Sequence, residues 1–561
     1  MKSGPNNVRV GLRVCIACIL LPAALAFVSM LPDNEVRAEP ARPRFTDVAP
    51  RSNFSYITNN DFTGRKYFPQ PMCGGIAVLD YDGDGRLDLF FTNGAKLPSL
   101  KRTPAHYSCL LRSKGDGTFE DVTRKARLLG EDLGYSYGVA AGDYDNDGRT
   151  DLFIANAGRN VLYRNNAEGG FTDVTDESGI GGKPAETLSV AAAWFDYDND
   201  GLLDLVVSNY TLWTPQKDKE CLTGGVPFYC HPREYVPVPH RLYRNRGKGK
   251  FEDVTEKAGF GSALGKGMGI GIADINDDGW TDVFIANDTE RNFLYVNQGN
   301  GTFKEDGLMY GVAYNDTGAT VSAMGCDVKD YDNDGWVDVF YNNLVTQIWA
   351  LFRNQQGKSF RYVSLPTQVA RLSRPLSGWS NGFIDYNNDG WKDLYSSNGQ
   401  VDDILPDARQ HDTMFENSGG KRFEDVSSQM GPDFLHIGYQ RGSAFADLND
   451  DGALDLVVTS LNEKPRILIN SGDSVHHWLV VAPRGRASNR DGVGAKIKVT
   501  TASGRVLYNH VTTSVGFMSS SDKRVHFGLG AESTIQSVEI RWPSGIVQRL
   551  GNVQADRILE V

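Results

Sequence analysis

The chain has 561 residues, a formal charge of −12 and 61 glycines, with otherwise ordinary composition. That length exceeds one small domain and suits two or three domains or one large repeat array. The acidity is gathered into short aspartate clusters, and an acidic surface opposes a nucleic-acid partner, whose phosphates need a basic footprint.

Lys2, Arg9 and Arg13 precede an apolar run, Val14 to Leu31, and Val36–Ala38 resembles a small-residue cleavage site. This predicts a signal peptide over residues 1–38 and a secreted or periplasmic protein. A retained anchor competes, because the run has 18 residues and nears spanning length; Pro22 and the cleavage-like site favour removal. No later stretch is apolar enough to span a bilayer, so no span is expected after cleavage. Export permits disulfides. Cys221 and Cys230, close together in a long insertion, are the first choice for a pair and Cys73 with Cys109 the second; Cys326, on an apolar segment, reads as a buried free thiol.

From Asp80 onward one phrase recurs: "DYDGDGRLDLFF", then copies starting at Asp143, Asp196, Asp274, Asp330, Asp385 and Asp447. Two further phrases keep step. One is a short apolar strand ending in Ser or Asn, such as "LYRN" at Leu162 and Leu242; the other opens on Phe, such as "FEDV" at Phe119 and Phe423. Between them lies a Gly/Asn-rich tight turn such as Asn297–Thr302, which is hairpin chemistry. Several strands per repeat without helical periodicity imply one small antiparallel sheet each, and seven sheets imply a β-propeller over residues 39–474. The last apolar strand, Ile467–Asn470, lacks a following Phe phrase, and the first Phe phrase, Phe45–Val48, lacks a preceding partner. Pairing them would close the ring and remove two open edges.

Numbered from its first Asp, each phrase places oxygen side chains at positions 1, 3, 5 and 9, and Gly at position 6. These are Asp80, Asp82, Asp84 and Asp88; Asp143, Asp145, Asp147 and Asp151; Asp196, Asp198, Asp200 and Asp204; Asp274, Asn276, Asp278 and Asp282; Asp330, Asp332, Asp334 and Asp338; Asp385, Asn387, Asp389 and Asp393; Asp447, Asn449, Asp451 and Asp455. Alternate positions of a tight loop converge, and the position-7 carbonyl adds a donor. Hard oxygen donors in this number suit Ca²⁺ at about seven sites, with Mg²⁺ second. The loop is not an EF-hand: position 12 is Phe91 or Ile154 instead of a bidentate Glu, and a strand follows. Removing residues 1–38 takes away four basic and two acidic residues, so −12 becomes −14, which seven divalent ions would neutralise. The ions read as staples for the blade turns, with no catalytic role.

Seven such loops inside β repeats resemble the FG-GAP/VCBS repeats of integrin-α-like propellers. Beyond them, Asn489–Val506, Gly516–Gly530 and Val538–Leu550 look like the ASPIC/UnbV domain. A propeller followed by that domain is the arrangement of the cartilage acidic protein family and its bacterial relatives. The resemblance implies an all-β, calcium-binding, extracellular protein more than it implies an activity. The expected architecture is a seven-bladed propeller plus a small C-terminal β-sandwich over residues 475–561, where apolar and polar residues alternate.

Two irregular stretches stand apart. The insertion Tyr210–His240 holds Trp213, Phe228, Tyr229, His231, Arg233, Tyr235 and His240, and reads either as a functional loop or as a disulfide-pinned cap on the blade rim. Ser397–Phe415 holds Asp402, Asp403, His411 and Asp412 and reads as a solvated acidic loop. His476 and His477 read as a linker feature, and His526 as structural. No HExxH or P-loop is present. The leading expectation is a binding or adhesion module for an extracellular protein or carbohydrate. The alternative is an enzyme with a site on the axial face near the 210–240 insertion.

Overall fold

A computed structural model describes residues 42–167, 169–181, 186–404, 407–472 and 475–561; the expected signal peptide lies outside the described residues. Among the described residues the seven repeats form seven four-stranded antiparallel sheets, and those of blades 2 and 3 join through one pair, Leu188 opposite Ala157. Blade 1 runs Ile76–Leu79, Asp88–Phe91, Cys109–Ser113 and Phe119–Asp121. In every blade the position-9 aspartate is the first residue of the second strand. Blade 7 takes its outer strand from the chain start: Phe45 pairs with Asn470, Thr46 with Ile469 and Asp47 with Leu468. The expected closure is therefore observed.

Five of the seven first strands are buried along their whole length, and those of blades 3 and 5 in all but one end residue, which matches two covered faces. Apolar side chains of adjacent blades pack into shared clusters, so the core lies between blades: Phe90, Leu110 and Leu152 between blades 1 and 2, Phe340, Leu351 and Leu394 between blades 5 and 6. The Asn that ends the third strand explains the last letter of "LYRN". Its amide donates to the position-2 carbonyl of the preceding blade: Asn165 to Tyr81 (2.8 Å), Asn245 to Tyr144 (2.8 Å), Asn297 to Tyr197 (2.8 Å), Asn354 to Ile275 (3.0 Å), Asn417 to Tyr331 (2.9 Å) and Asn470 to Tyr386 (2.9 Å). Blade 1 has Ser113 at this place, so the seam between blades 7 and 1 lacks the latch and is held by the strand exchange instead.

The chain after residue 475 forms a three-stranded sheet (Val525–Gly530, His477–Ala482, Arg557–Glu560) and a four-stranded one (Val506–His510, Lys496–Thr501, Thr534–Arg541, Val547–Gln554). Leu479, Val499, Phe527, Val538 and Ile540 are buried, as the alternation predicts for a sandwich. The segment between two of these strands, residues 511–524, enters the propeller axis. Ser520 N donates to Ile76 O (2.8 Å), Val139 N to Met518 O (3.1 Å), Ser514 Oγ to Ile270 O (2.8 Å), Gly516 N to Cys326 O (2.8 Å), Phe517 N to Ser380 Oγ (3.0 Å) and Asp522 N to Phe445 O (3.1 Å). Six blades thus bond this plug, and Val190 of the seventh, blade 3, shares the apolar cluster of Phe517 and Met518. The plug gives partners to inner-strand edges that a bare channel would leave to water.

Candidate metal centres

All seven aspartate loops follow the first strand of their blade, so topology puts them on one face of the ring. Each is wound by its own carboxylates. Asp80 Oδ1 accepts from Asp84 N (3.1 Å) and Oδ2 from Gly85 N (3.0 Å), and the same pair of bonds recurs at Asp143, Asp196, Asp274, Asp330, Asp385 and Asp447. Position 6 has positive φ, as at Gly85 (85°), and so does position 4, which is Gly83, Asn146, Asn199, Asp277, Asn333, Asn388 or Asp450. Position 4 also ties loops together: Asn146 donates to Gly201 O (2.9 Å), Asn199 to Gly279 O (3.1 Å), Asn333 to Gly390 O (2.9 Å) and Asn388 to Gly452 O (3.1 Å).

In blades 1, 2, 3 and 5, oxygens of positions 1, 3 and 9 lie within 4.8 Å of one another. Within these clusters Asp151 Oδ2, Asp198 Oδ1 and Asp332 Oδ1 are buried without a hydrogen-bond partner. Burial, reinforced by neighbouring carboxylates, pushes Asp88, Asp143 and Asp196 up to about 7. Converging oxygens, orphaned acceptors and destabilised anions together fit a hard cation, and these aspartate clusters can hold a metal ion. In blades 4, 6 and 7 position 3 is Asn276, Asn387 or Asn449, whose amide donates to the position-5 carboxylate at 2.9, 3.5 and 2.8 Å.

The C-terminal domain lies on this loop face. Lys496 pairs with Asp274 (2.8 Å) and Asp277, Arg524 with Asp450 (2.7 Å), and Arg505 donates to Asp389 O (2.7 Å). Asp491 accepts from Asp143 N (2.8 Å), His526 bonds Gly452 O (2.9 Å) and His476 bonds Asn387 O (2.9 Å). His526 is therefore structural, and His476 is part of this docking surface, not a bare linker.

The other face carries the irregular stretches. Cys221 and Cys230 form a disulfide, whereas Cys73 and Cys109 are separate buried thiols, as is Cys326; the second-choice pairing is corrected. The insertion is not a rim decoration. Trp213, Cys230 and Tyr235 are buried in one cluster with Phe68, Trp379 and the plug residues Phe517 and Met518, because the insertion folds inward over residues 58–73 at the axis. Asp218 accepts from Phe68 N (3.1 Å) and Trp213 Nε1 (2.8 Å). The acidic stretch is only partly solvated: Asp402 is buried, pairs with Lys66 (2.9 Å) and accepts from Tyr229 N (2.9 Å), while Asp412 is buried against Arg466. Arg441, fully buried 3.9 Å from the Trp379 ring, donates to Pro71 O (2.6 Å) and Gln400 O (3.0 Å). The two insertion histidines do not converge on a carboxylate. His240 is buried, accepts from Asn209 N (3.2 Å) and is lowered to about 3 by burial; His231 accepts from Arg233 N (3.2 Å) in a short turn. Among the described residues no helix is long and apolar enough to cross a membrane.

Fold and loops define an FG-GAP-type propeller carrying a second domain on its loop face. The FG-GAP-like repeat model matches residues 80–154, 143–207, 238–285, 274–341 and 330–396, and the ASPIC and UnbV model matches 485–561. The chain belongs to the ASPIC/UnbV family of FG-GAP-repeat proteins. It is similar to cartilage acidic protein 1 of Mus musculus (24% identity, covering 100% of this chain and 81% of that protein) and of Homo sapiens (23%, 88% and 72%). Among solved structures it is similar to YCF48 bound to a D1 peptide (TM-score 0.40, 7% identity, 77% of this chain and 99% of that one). It is also similar to an Agrocybe aegerita lectin described as recognising non-reducing terminal N-acetylglucosamine (TM-score 0.38, 14%, 72% and 93%).

Proposed function

We propose that the protein is a secreted, calcium-stabilised propeller that binds an extracellular protein or carbohydrate on the face opposite its metal loops. The aspartate loops take about seven Ca²⁺ ions, one per blade, with the side-chain oxygens of positions 1, 3, 5 and 9 as ligands. Export rests on the basic and apolar N-terminal run. The observation that carries the binding reading is the division of the two faces. The loop face is covered by the C-terminal domain, and the axis is filled by residues 511–524. The opposite face keeps a cavity of about 180 Å³ lined by Phe62, Lys66, Tyr229, Asp403, Tyr439 and Arg441. Phe62 is 49% exposed, and Asn60 Oδ1, on the same cavity wall, is buried without a partner. Aromatic faces beside charged groups and a free acceptor suit a polyhydroxylated ligand or a polar peptide side chain.

The test is a glycan array probed with calcium-loaded protein, beside a peptide array. Binding should fall at least tenfold in a Phe62→Ala/Tyr439→Ala variant whose melting curve is unchanged. Retained binding by that variant would move the ligand off this face.

A further inference from the structure

The third strand of each blade carries one residue just before its terminal Ser or Asn. It is Arg112, Arg164, Arg244 and Arg353 in blades 1, 2, 3 and 5, and Val296, Glu416 and Ile469 in blades 4, 6 and 7. Position 3 of the loop is Asp82, Asp145, Asp198 and Asp332 in the first group, and Asn276, Asn387 and Asn449 in the second. No blade breaks the match.

Contacts explain it. Arg112 bonds Asp82 (2.6 Å) and Asp84 (2.7 Å), Arg353 bonds Asp332 (2.6 Å) and Asp334 (2.9 Å), and Arg244 bonds Asp198 (2.6 Å) and reaches Asp200 (3.4 Å). One guanidinium therefore bridges the carboxylates of positions 3 and 5, a geometry that Arg's planar fork allows. Arg164 lies within electrostatic reach of Asp145. Where the arginine is missing, the position-3 amide makes the bond to position 5 itself. Counted over the four ligand positions and the third-strand residue alone, four aspartates with an arginine and three aspartates with an asparagine both sum to −3; single loops carry further cations beside this set, Arg86 at Asp84, Arg149 at Asp147 and Lys496 at Asp274. Glu416 adds a carboxylate beside Asp389 and Asp393 in blade 6 and is itself paired with Arg42 and the Tyr386 hydroxyl.

We propose that the third-strand arginine is a positioning residue of the metal loop: it bridges and offsets the extra carboxylate at position 3, so that arginine-bearing and asparagine-bearing loops present the same charge from the ligand positions and the third strand. The proposal rests on the loops holding a cation. Without the arginine a four-aspartate loop repels itself and collapses first when the ion leaves; with asparagine at position 3 the arginine is unnecessary.

The experiment uses the full chain with Arg353→Leu, Asp332→Asn and the double variant. Melting is followed in EDTA and in saturating Ca²⁺, and calcium stoichiometry by calorimetry. Arg353 is partly exposed, so its loss spares the core. In EDTA, R353L should melt about 2 °C or more below wild type, and the added D332N should recover at least half of that drop. The double variant should keep the wild-type calcium stoichiometry, since it recreates the loop of blade 4. Additive losses, with the double variant below both singles, would overturn the proposal. A wild type that takes up no calcium would instead overturn the metal reading, while rescue in EDTA would still uphold the charge match.

Discussion

The two faces of the ring are made by different means. On the loop face one short phrase is repeated seven times, every copy wound by the same two backbone bonds from its first aspartate. On the opposite face no phrase repeats; a disulfide, a buried lysine between two aspartates and a buried arginine hold three unrelated segments together. The difference teaches where variation is tolerated. Loops wound by their own carboxylates and covered by a docked domain are constrained by both, whereas loops on a rigid scaffold's free face need only satisfy each other.

Stripping the ions attacks only one face and should have the largest effect. On the proposed calcium reading, excess EDTA should lower Tm by more than about 10 °C, because every loop loses its ion at once. A melting curve unmoved by chelation would remove the metal from the account. Next comes the axis that joins the faces. Phe517→Ala should cost about 3–5 kcal/mol by opening a cavity in the plug, and it should leave calcium stoichiometry alone, as read by chemical denaturation and calorimetry. A cost under ~1 kcal/mol would mean that the plug only lies in the channel and does not brace it.

Acid should strike both faces. His240 on the free side and His510 on the docked side are buried and held at about 3, and unfolded imidazole titrates near 6.5. Their contribution is complete above about pH 6.5 and is lost as pH falls from there toward 3. At pH 5 each should cost about 2 kcal/mol. Going from pH 7 to pH 5, His240→Gln should lose less stability than wild type by that amount; an equal loss would mean that water reaches the ring. The smallest expected change is a gain. Ser113→Asn should supply the latch missing at the seam and add about 1 kcal/mol, whereas Asn354→Ala at an ordinary blade junction should cost ~1–3 kcal/mol. No gain at the seam would show that the strand exchange there already fixes the spacing.

Much of the loop face could be read from the chain because its signals are local. Spacing of Asp and Gly within nine residues gives the turn, and the odd phase of Phe45–Val48 and Ile467–Asn470 gives the closure, since a strand edge needs a partner. Signals that were legible but overlooked sit in the same phrases. The Gly/Asn/Asp at position 4 marks a second left-handed residue, and the Asn ending "LYRN" reaches the neighbouring blade. The arginine before that Asn answers position 3 from about twenty to nearly fifty residues away, a span that no local rule covers.

The free face was misread more often. Cys73 with Cys109, a rim position for the insertion and a fully solvated acidic loop were all judged from sequence neighbours, but each depends on segments from different blades meeting.

The chain by itself determined an all-β repeat, seven oxygen-lined turns, their order and the join between ends, because short-range backbone geometry and strand periodicity are written residue by residue. The tertiary structure alone decided that residues 511–524 fill the axis, that the second domain covers the loops, and that Lys66, Tyr229 and Arg441 share a cavity. Those contacts span up to several hundred residues. They arise from burial and charge pairing between distant segments, which leave no periodic trace in the sequence.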